Sequence, residues 1–447
     1  MIHTRKLLQA GSLLMVSLML AVLISACSMG PSDPHTITFW TTRTGTVDMG
    51  GWKKIIEGFE KANPGYHVKL VGKPSPSQGD ATALITAVRG GTPPDVFEVD
   101  RFTVSQYASI GLLSSLQPLI EKEGGKTFSD QYFPFAWKET MYQGESYALP
   151  FDSDARGLYY NKKLLREAGI DPSILDPKNG PPTIDEIMEI SRKLVKKDSR
   201  GNYTQLGLIP WDDQASPATW GLSMGAKYYD PVKCEFTAFE PAFKKAYENY
   251  AKWSKELDYH KVDTFMATYQ PPNAPPSQTP FFTDHLGMAI TGNWLLSSIR
   301  DYAPKLDYGI TYLPVGQKGD KPFTWAGGYA VVMPKGVKNV DGAWKLMQYI
   351  AGPEGQRIYS LQTQHLPTLK SLIDDPEITA GNQKFFASMM PFTLSRPPMP
   401  VGAQIWDAME TAKQAVLLGD STPQQALQTV YDRVQPQLQQ FCPFQLP

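Results

Sequence analysis

Apolar residues near the start of the globular part of the chain change from the period of a strand to the period of a helix. Residues 36–41 (Thr-Ile-Thr-Phe-Trp-Thr) alternate between polar and apolar, which predicts a strand with one buried face. Trp52, Ile55 and Phe59 then recur at spacings of three and four, which places them on one face of a helix. The pattern therefore predicts a strand followed by an amphipathic helix.

The same alternation of element types continues along the chain. A turn at Pro64 leads into a second strand through Val68 and Leu70. A short helix over residues 83–88 comes before a third strand over residues 95–100. Because strand–helix–strand units join parallel strands by right-handed crossovers, this order predicts a largely parallel sheet covered by helices.

Capping signals mark later helices. Thr183 and Glu186 form the Ser/Thr-x-x-Glu/Gln pattern of a capping box, which opens a helix. Thr422 and Gln425 repeat this pattern near the C-terminus. The proline-rich residues 270–280 predict a surface loop rather than a linker between domains, because structured patterns continue on both sides. The class predicted is α/β, and no internal repeat is visible.

The N-terminus has the pattern of an export signal. A basic head at residues 5–6 leads into an apolar run over residues 13–24, which is too short to span a bilayer comfortably. The run exits through Ile-Ser-Ala to Cys27. It resembles the signal peptide of bacterial lipoproteins, in which the cysteine thiol receives a diacylglycerol, the peptide is cut just before that cysteine, and the new amino terminus is acylated. We therefore expect a signal peptide over residues 1–26 and a lipid-anchored tether over residues 27–35. The alternative is an ordinary secretory signal with a chance cysteine.

Length and charge narrow the class of protein. The 421 residues from Cys27 onward are too many for one compact core, so two lobes are expected. The full chain has 43 basic and 44 acidic residues, and removing Arg5 and Lys6 with the signal leaves 41 basic residues and a net charge of −3. That balance is too close to neutral for a nucleic-acid-binding protein.

Cysteine contributes little to the expected chemistry, and aromatic residues contribute much. After Cys27 only Cys234 and Cys442 remain, and the sequence leaves open whether they form a disulfide or stay as buried thiols. Ten Trp, 21 Tyr and 20 Phe outnumber the six His, and many lie beside Gly, Asp or Asn. A site built from flat rings is therefore favoured over a metal site, and we expect no metal and no cofactor.

Several separate stretches match one known family in that family's order. They are Ile37-Thr-Phe-Trp40, Phe59-Glu-Lys-Ala-Asn-Pro64, Gly91-Thr-Pro-Pro-Asp-Val96, Asp100-Arg-Phe102, Leu149-Pro-Phe151, Leu158-Tyr-Tyr-Asn-Lys162, Met288-Ala-Ile-Thr-Gly-Asn-Trp294, Ala343-Trp-Lys-Leu346 and Leu366-Pro367. With these stretches, the whole mature chain resembles the bacterial extracellular solute-binding proteins of carbohydrate ABC importers, the group that includes maltose/maltodextrin-binding proteins.

The resemblance implies a periplasmic-binding-protein-like fold, with two α/β lobes, three chain crossings between them and a ligand cleft. We place the crossings near Pro150, near Gly327 and Gly328, and near Pro391. The first lobe is then expected over residues 36–149 plus 330–389, and the second over residues 154–325 plus 396–447. Closure of the lobes around ligand is the behaviour of such binders.

A sugar presents hydroxyl groups around its ring and apolar C–H faces above and below it. A site for it needs carboxylate, amide or Arg groups and flat aromatic rings. The resemblance assigns such roles to Asp100, Arg101, Asp154, Trp294 and Trp406, and more weakly to Trp220. Position alone adds Trp40 after the first strand, Trp325, and Gly327 and Gly328, where backbone amides can approach a ligand. The alternatives at these positions are core packing and surface ion pairs.

The expected function is therefore capture of a sugar or oligosaccharide and its delivery to the permease of an ABC importer. The protein would act as a monomer, lipid-anchored on the extracytoplasmic face of the cell membrane. Between Trp40 and Trp52 the chain lacks the acidic-basic pair usual in the maltodextrin binders, and it carries Arg43 instead. The related binders of glycerol-3-phosphate, and of other polyol phosphates, are therefore the alternative.

An exported glycosidase is the rival class. Asp152 and Asp154 are its candidate carboxylates, because retaining glycosidases need two carboxyl groups about 5–5.5 Å apart. Nothing nearby supplies a separate acid. The sequence also has no Gly-x-Ser-x-Gly motif and no His-Glu-x-x-His motif. We expect no enzyme activity.

Overall fold

The structure is a computed structural model, and it describes residues 35–74 and 80–447. The predicted signal peptide, the lipidation site Cys27 and all of the tether except His35 lie outside the described residues. In the ranges that are described, no helix is long and apolar enough to cross a membrane.

Strands and helices alternate along most of the chain. The strands are Thr36–Thr41, His67–Gly72, Val96–Asp100, Met141–Tyr142, Glu145–Ser146, Ala148–Pro150, Arg156–Asn161, Lys196–Lys197, Tyr203–Gln205, Tyr229–Asp230, Glu235–Phe236, Met288–Gly292, Tyr308–Thr311, Thr324–Ala326, Tyr329–Val332 and Thr393–Ser395. The α-helices are Thr46–Ala62, Thr82–Arg89, Val104–Ser109, Gln117–Lys122, Lys126–Ser129, Pro134–Lys138, Lys162–Glu167, Ile184–Lys193, Pro217–Ser223, Pro241–Leu257, Tyr259–Tyr269, Leu295–Tyr302, Val340–Ala351, Pro353–Thr363, Gln383–Met389, Gly402–Leu418 and Pro423–Leu438.

The first lobe is built on a five-stranded mixed sheet. Strand Thr36–Thr41 pairs in parallel with His67–Gly72 on one side and with Val96–Asp100 on the other. Strand Tyr329–Val332 continues the sheet antiparallel to Val96–Asp100, and Ala148–Pro150 forms its far edge. The predicted parallel order of the first three strands is confirmed. Of the two strands that complete the sheet, Tyr329–Val332 runs in the opposite direction and Ala148–Pro150 runs in the same direction as the first three.

The first helix packs on this sheet through the face that the sequence predicts. Trp52, Ile55 and Phe59 are fully buried, as is Phe39 of the first strand. The rings of Phe39 and Trp52 meet edge to face, with their centroids 4.9 Å apart. Burying an aromatic side chain of this kind stabilises the fold by about 1.5–3 kcal/mol. The buried apolar face of this helix therefore stabilises the first lobe.

The second lobe is built on a three-stranded antiparallel sheet. Strand Arg156–Asn161 lies in the centre, between Met288–Gly292 and Tyr308–Thr311. Helix Ile184–Lys193 begins at the predicted capping box, in which the Thr183 side chain accepts from the Glu186 backbone and the Glu186 side chain accepts in return.

The strand order defines two passages of the chain between the two sheets, and the third is the one expected near Pro391. The chain leaves the first sheet after Pro150 and enters the second at Arg156, and it returns between Ala326 and Tyr329. The short strands Thr324–Ala326 and Thr393–Ser395 lie side by side in parallel, so the second and third passages are hydrogen-bonded to each other.

One segment lies on a different lobe from the one expected. Helix Gln383–Met389 was assigned to the first lobe, but it packs against the second sheet. The ring of Phe386 stacks on Tyr159 with centroids 5.9 Å apart, and Phe385 contacts Tyr312 at 5.2 Å. The expected boundary followed a proline at position 391, and a proline marks a turn of the backbone rather than a change of packing partner.

A disulfide joins Cys234 to Cys442, 208 positions apart in the sequence. The structure thus decides between the two states that the sequence left open. The bond attaches the segment after helix Pro423–Leu438 to the loop between strands Tyr229–Asp230 and Glu235–Phe236.

Candidate functional site

A cavity of about 250 Å³ lies where the chain passes between the two sheets. It is lined by residues from both lobes and from the crossings, namely Arg43, Asp100, Asp154, Arg156, Gln214, Trp294, Trp325, Gly327, Gly328, Tyr329, His365, Arg396 and Trp406. Seven of the ten residues predicted from the sequence therefore share one cavity.

Three tryptophans supply the flat surfaces of the cavity. Trp294 follows strand Met288–Gly292, Trp325 lies in the second crossing, and Trp406 lies in the first turns of helix Gly402–Leu418. Trp294 and Trp406 are half-buried, whereas Trp325 is buried and its Nε1 donates to Thr219 Oγ1 at 2.9 Å. The Trp325 and Trp406 rings are tilted to each other with centroids 5.8 Å apart. Trp294 also stacks on His365, with centroids 6.0 Å apart, and the Arg396 guanidinium lies 5.7 Å from the Trp406 centroid. The two half-buried rings thus give the cavity flat aromatic surface for the C–H groups of a ligand.

Asp100 lies at the end of strand Val96–Asp100 and faces Arg396 of the third crossing. Nη1 of Arg396 donates to Asp100 Oδ2 at 3.2 Å, and Nη2 donates to Oδ1. The guanidinium also lies over the ring of Phe102, 4.1 Å from its centroid. Among the described residues no acceptor reaches Nε of Arg396, although this atom is buried.

A second acid–base pair forms the opposite wall. Arg156 Nη1 donates to Asp154 Oδ1, which also accepts from the backbone N–H of Gly327. The Arg156 guanidinium stacks on Trp325, 3.6 Å from the ring centroid, and its Nε donates to Gln214 at 3.1 Å. Burial lowers the pKa of Arg156 and the nearby Arg396 adds to this, against the opposing effect of Asp154.

Arg43 closes the cavity from the first lobe. Its guanidinium donates to Asp152 at 2.7 Å and to Nε2 of His365 at 3.0 Å, and it forms an ion pair with Asp48 at 2.8 Å. It also lies over the ring of Tyr329 at 4.3 Å. Although burial works in the other direction, Arg43 and His365 hold the pKa of Asp152 well below its usual range.

A buried acid lies beneath the Arg43 loop. Glu98 is fully buried in the third strand, and its Oε2 accepts from Thr41 Oγ1 at 2.9 Å and from the Thr42 backbone at 3.0 Å. Burial raises the pKa of Glu98 to about 7, against the opposing effect of Arg43. The Glu98 carboxyl thus hydrogen-bonds to the two residues directly before Arg43.

Gly328 is required by the crossing itself. Its φ is +118°, and a Cβ there would lie 2.5 Å from the carbonyl oxygen of Asp152. Any larger residue would push the first and second crossings apart.

Arg101, for which the resemblance implies a ligand-binding role, does not line the cavity. It is fully buried, and Nε donates to Glu139 at 2.9 Å while Nη1 and Nη2 donate to the carbonyls of Asp152 and Gly327. Neighbouring residues at a strand end point in opposite directions, so Asp100 and Arg101 cannot both face one cavity. Arg101 instead ties two crossings to the first lobe.

Two predicted tryptophans also lie elsewhere. Trp220 is fully buried in the second lobe, where Nε1 donates to the Pro210 carbonyl at 2.8 Å and the ring packs on Trp253. Trp40 is half-buried in strand Thr36–Thr41 of the first lobe, with Lys73 over its ring at 3.8 Å from the centroid. Both side chains thus contact other protein groups outside the cavity: Trp220 contacts Pro210 and Trp253, and Trp40 contacts Lys73.

The sequence did not single out several residues that the structure places at the cavity, namely Arg156, Gln214, Tyr329, His365 and Arg396. The spacing between Asp154 and Arg156 could have predicted Arg156, because residues two positions apart in an extended segment share a face. Arg396 had no such local signal. In the described ranges no three His, Cys, Asp or Glu side chains are grouped as metal ligands would be.

The family of the chain follows from comparison with known proteins. The family model for bacterial extracellular solute-binding proteins matches residues 44–357. The chain belongs to this family. Among curated relatives, the sn-glycerol-3-phosphate-binding periplasmic protein UgpB of Salmonella typhimurium is 25% identical over 437 residues, covering 91% of this chain and 93% of that protein. The maltotriose-binding protein of Pyrococcus abyssi is 24% identical over 345 residues, covering 75% and 68%.

Solved structures of this solute-binding family share the two-lobed fold. The mannobiose-bound CpMnBP1 superposes with a TM-score of 0.77 at 22% identity, covering 89% of this chain and 99% of that one. The maltotriose-bound MalE domain of Bdellovibrio bacteriovorus gives a TM-score of 0.70 at 18% identity, covering 90% and 100%. The predicted fold class is confirmed.

Proposed function

We propose that the protein binds an uncharged sugar or oligosaccharide in the cavity between its lobes and delivers it to the permease of an ABC importer. One observation carries this proposal. The cavity combines the half-buried rings of Trp294 and Trp406 with two acid–base pairs, Asp100–Arg396 and Asp154–Arg156.

This combination matches the chemistry of a sugar. The ring faces can stack on C–H groups, and each carboxylate or guanidinium has hydrogen-bonding capacity left for a hydroxyl group. A ligand hydroxyl that fails to reach such a buried partner costs about 1–3 kcal/mol, which would give the site its selectivity.

The charge balance favours an uncharged ligand. Each of the three cavity arginines already has a carboxylate partner: Arg43 pairs with Asp152, Arg156 with Asp154 and Arg396 with Asp100. A phosphate would have to compete with these carboxylates for the same guanidinium groups. An uncharged hydroxyl can join the pairs without separating them.

Binding of a polyol phosphate is the second candidate. It is supported by the buried Nε of Arg396, which has no acceptor among the described residues, and by the relative named as a glycerol-3-phosphate binder. Arg43 and Arg156 could add further donors if their carboxylates moved.

We propose binding without catalysis. A glycosidase needs a carboxylic acid that stays protonated, and therefore a raised pKa. The pKa of Asp152 is instead lowered by Arg43 and His365. Asp154 is bound to Arg156 and to the Gly327 N–H. Neither group is free to donate a proton to a leaving group.

The proposed location is the outer face of the cell membrane, with the mature chain anchored as a monomer through Cys27. The export-signal pattern and the extracellular family support this location. In the Cys27→Ala variant we expect export without lipid attachment, so the protein should leave the membrane fraction. A variant that still partitions into detergent would contradict the anchor.

A thermal-shift screen tests the ligand class. The purified mature protein is heated with mannobiose, maltotriose or sn-glycerol 3-phosphate, and the Trp406→Ala variant is heated in parallel. A ligand at 100 times its dissociation constant stabilises by about 2.7 kcal/mol. We expect at least one neutral saccharide to stabilise the parent and to act less on the variant. Stabilisation by sn-glycerol 3-phosphate alone would favour the second candidate. In a separate incubation of the protein with the two saccharides, reducing ends that accumulate with time would show an enzyme.

A further inference from the structure

A second cavity, of about 530 Å³, lies within the second lobe. It is formed by residues 209–212, helix Tyr259–Tyr269 and helix Gly402–Leu418. Of the described residues, none lines both this cavity and the ligand cavity between the lobes. Because the residues that form this second-lobe cavity all belong to one lobe, its shape does not depend on how the two lobes are arranged.

Two aromatic rings form part of the wall of the second-lobe cavity. Trp211 and Tyr259 are both half-buried, and their ring centroids lie 5.9 Å apart with an angle of 37° between the planes. Nε2 of Gln414 donates to the Tyr259 hydroxyl at 3.3 Å. Aromatic rings in a cavity wall attract apolar C–H groups and also cations, for which Trp is the best partner.

The loop that carries Trp211 turns between the two cavities. Asp213 has a φ of +45°, which lies in the left-handed region. Trp211 and Asp212, before this turn, line the second-lobe cavity, whereas Gln214, after it, lines the ligand cavity. One loop thus contributes side chains to two separate cavities.

The one cation in the lining of the second-lobe cavity is already paired within the protein. The side chain of Lys413 is 10% exposed, and its Nζ forms an ion pair with Glu410 at 2.5 Å. The same Nζ donates to the Trp211 carbonyl at 3.4 Å. Lys413 therefore neutralises Glu410 and ties the Trp211 loop to helix Gly402–Leu418.

Two further carboxylates in the lining have no such partner. Asp212 and Asp263 are exposed, and in the part of the chain that the structure describes neither forms an ion pair. Three carboxylates against one ammonium group give the lining a charge of −2. The ligand cavity has the opposite balance, with three arginines against two aspartates. A cavity lined by an excess of one charge concentrates ions of the other sign.

We propose that the second-lobe cavity binds an organic cation, a substituted ammonium group that carries apolar C–H surface. The rings of Trp211 and Tyr259 contact the C–H groups and attract the positive charge, and Asp212 and Asp263 balance that charge. An anion would be repelled by these carboxylates. The inference goes beyond the proposed function, since the site lies outside the ligand cavity and its ligand differs in charge.

Calorimetric titration of the purified mature protein with choline and with 3,3-dimethylbutan-1-ol tests the proposal. The two probes share one shape, and they differ in having a quaternary nitrogen or an uncharged carbon at the centre of the trimethyl group. We expect choline to bind saturably and the uncharged probe to bind about 2- to 30-fold more weakly. Equal affinities for the two probes, or a lack of saturable choline binding, would overturn the proposal.

Variants locate the binding on the molecule. Trp211→Ala should weaken choline binding about 2- to 30-fold, and Asp263→Asn should weaken it up to about fivefold. Trp40→Ala and Glu248→Gln are the matched controls. Trp40 is also half-buried, Glu248 is an exposed carboxylate on helix Pro241–Leu257 of the same lobe, and neither lines the cavity. Both controls should bind choline as the parent does.

A second variant covers a failure of Trp211→Ala to fold, because Trp211 also packs against the hydrophobic core. The Asp212→Asn, Asp263→Asn double variant changes two exposed positions, and it should weaken choline binding more than Asp263→Asn alone. Choline affinity equal to that of the parent in this folded double variant would overturn the proposal. Neither result bears on the sugar proposal, because no saccharide is present in the experiment.

Discussion

Asp100 and Arg396 are 296 positions apart in the sequence, yet both terminal guanidinium nitrogens of Arg396 donate to the carboxylate oxygens of Asp100. Asp100 ends a strand of the first lobe and Arg396 follows the third crossing. The pair is almost fully buried, with 8% and 4% of its side chains exposed. A ligand that bonds to this pair therefore contacts the first lobe and the hinge together.

Removal of the Asp100 carboxylate should weaken sugar binding. We expect Asp100→Ala to lower affinity about 5- to 150-fold, the equivalent of about 1–3 kcal/mol, and to blunt discrimination between epimers. Arg396→Ala and the double variant should be non-additive, because the two residues act as one unit. Calorimetric titration measures all three, with Asp307→Ala, which breaks an exposed ion pair with Arg166, as the control. Additive losses would show that the two side chains bind ligand independently.

Stacking should contribute a similar amount through Trp406. We expect Trp406→Ala to weaken binding about 5- to 150-fold through lost apolar burial, and Trp406→Phe to recover part of the loss. Trp40→Ala is the matched control, because Trp40 is also half-buried but lies outside the cavity. Equal losses of affinity in the Trp40 and Trp406 variants would contradict the placement of the site.

Arg101 should matter for stability rather than for ligand contact. Arg101→Ala leaves Glu139 buried without its cation, and breaking such a pair costs about 3–5 kcal/mol in the free energy of unfolding. Adding Glu139→Gln should restore part of this loss, because the uncompensated charge is then removed. Urea denaturation measures the effect. If the Arg101→Ala variant were as stable as the parent but no longer bound sugar, the result would show that Arg101 contributes to ligand binding.

Glu98 should make stability depend on pH near neutrality. Its folded pKa of about 7 lies above the ordinary value of 4.5, so the folded state holds the proton more tightly than the unfolded state. The contribution is complete below about pH 4.5 and is lost as the pH rises to about 7, by up to about 3 kcal/mol. Glu98→Gln should remove this dependence. Urea unfolding of the parent and the variant between pH 5 and pH 8 tests this prediction. If the free energy of unfolding changed with pH equally in both proteins, the pH dependence would not come from Glu98.

The sequence was sufficient for features that depend on neighbouring residues. The face of helix Thr46–Ala62, the capping box at Thr183 and the order of the first strands all follow from local spacing, and the structure confirms them. Trp294 and Trp406 were predicted from the family resemblance and Trp325 from its place before Gly327 and Gly328, and all three line the cavity.

Features that depend on distant partners could not be predicted in this way. Whether Arg101 or Arg396 pairs with Asp100 depends on where the third crossing passes, and local spacing carries no information about that. Trp220 had the right residue type, but its ring is enclosed by Trp253 and its N–H is used by Pro210. The partners of a buried group, rather than its type, decide whether it can reach a ligand.

We propose that a sugar is held between two lobes that close on it. Small-angle scattering of the mature protein, titrated with the saccharide that stabilises it most in the thermal screen, measures whether the lobes close. A ligand can shift the equilibrium only if it binds the closed arrangement more tightly than the open one, so it must contact both lobes. We predict a radius of gyration that decreases saturably, with the midpoint at the calorimetric dissociation constant. An unchanged radius at saturation with a verified ligand would contradict the account.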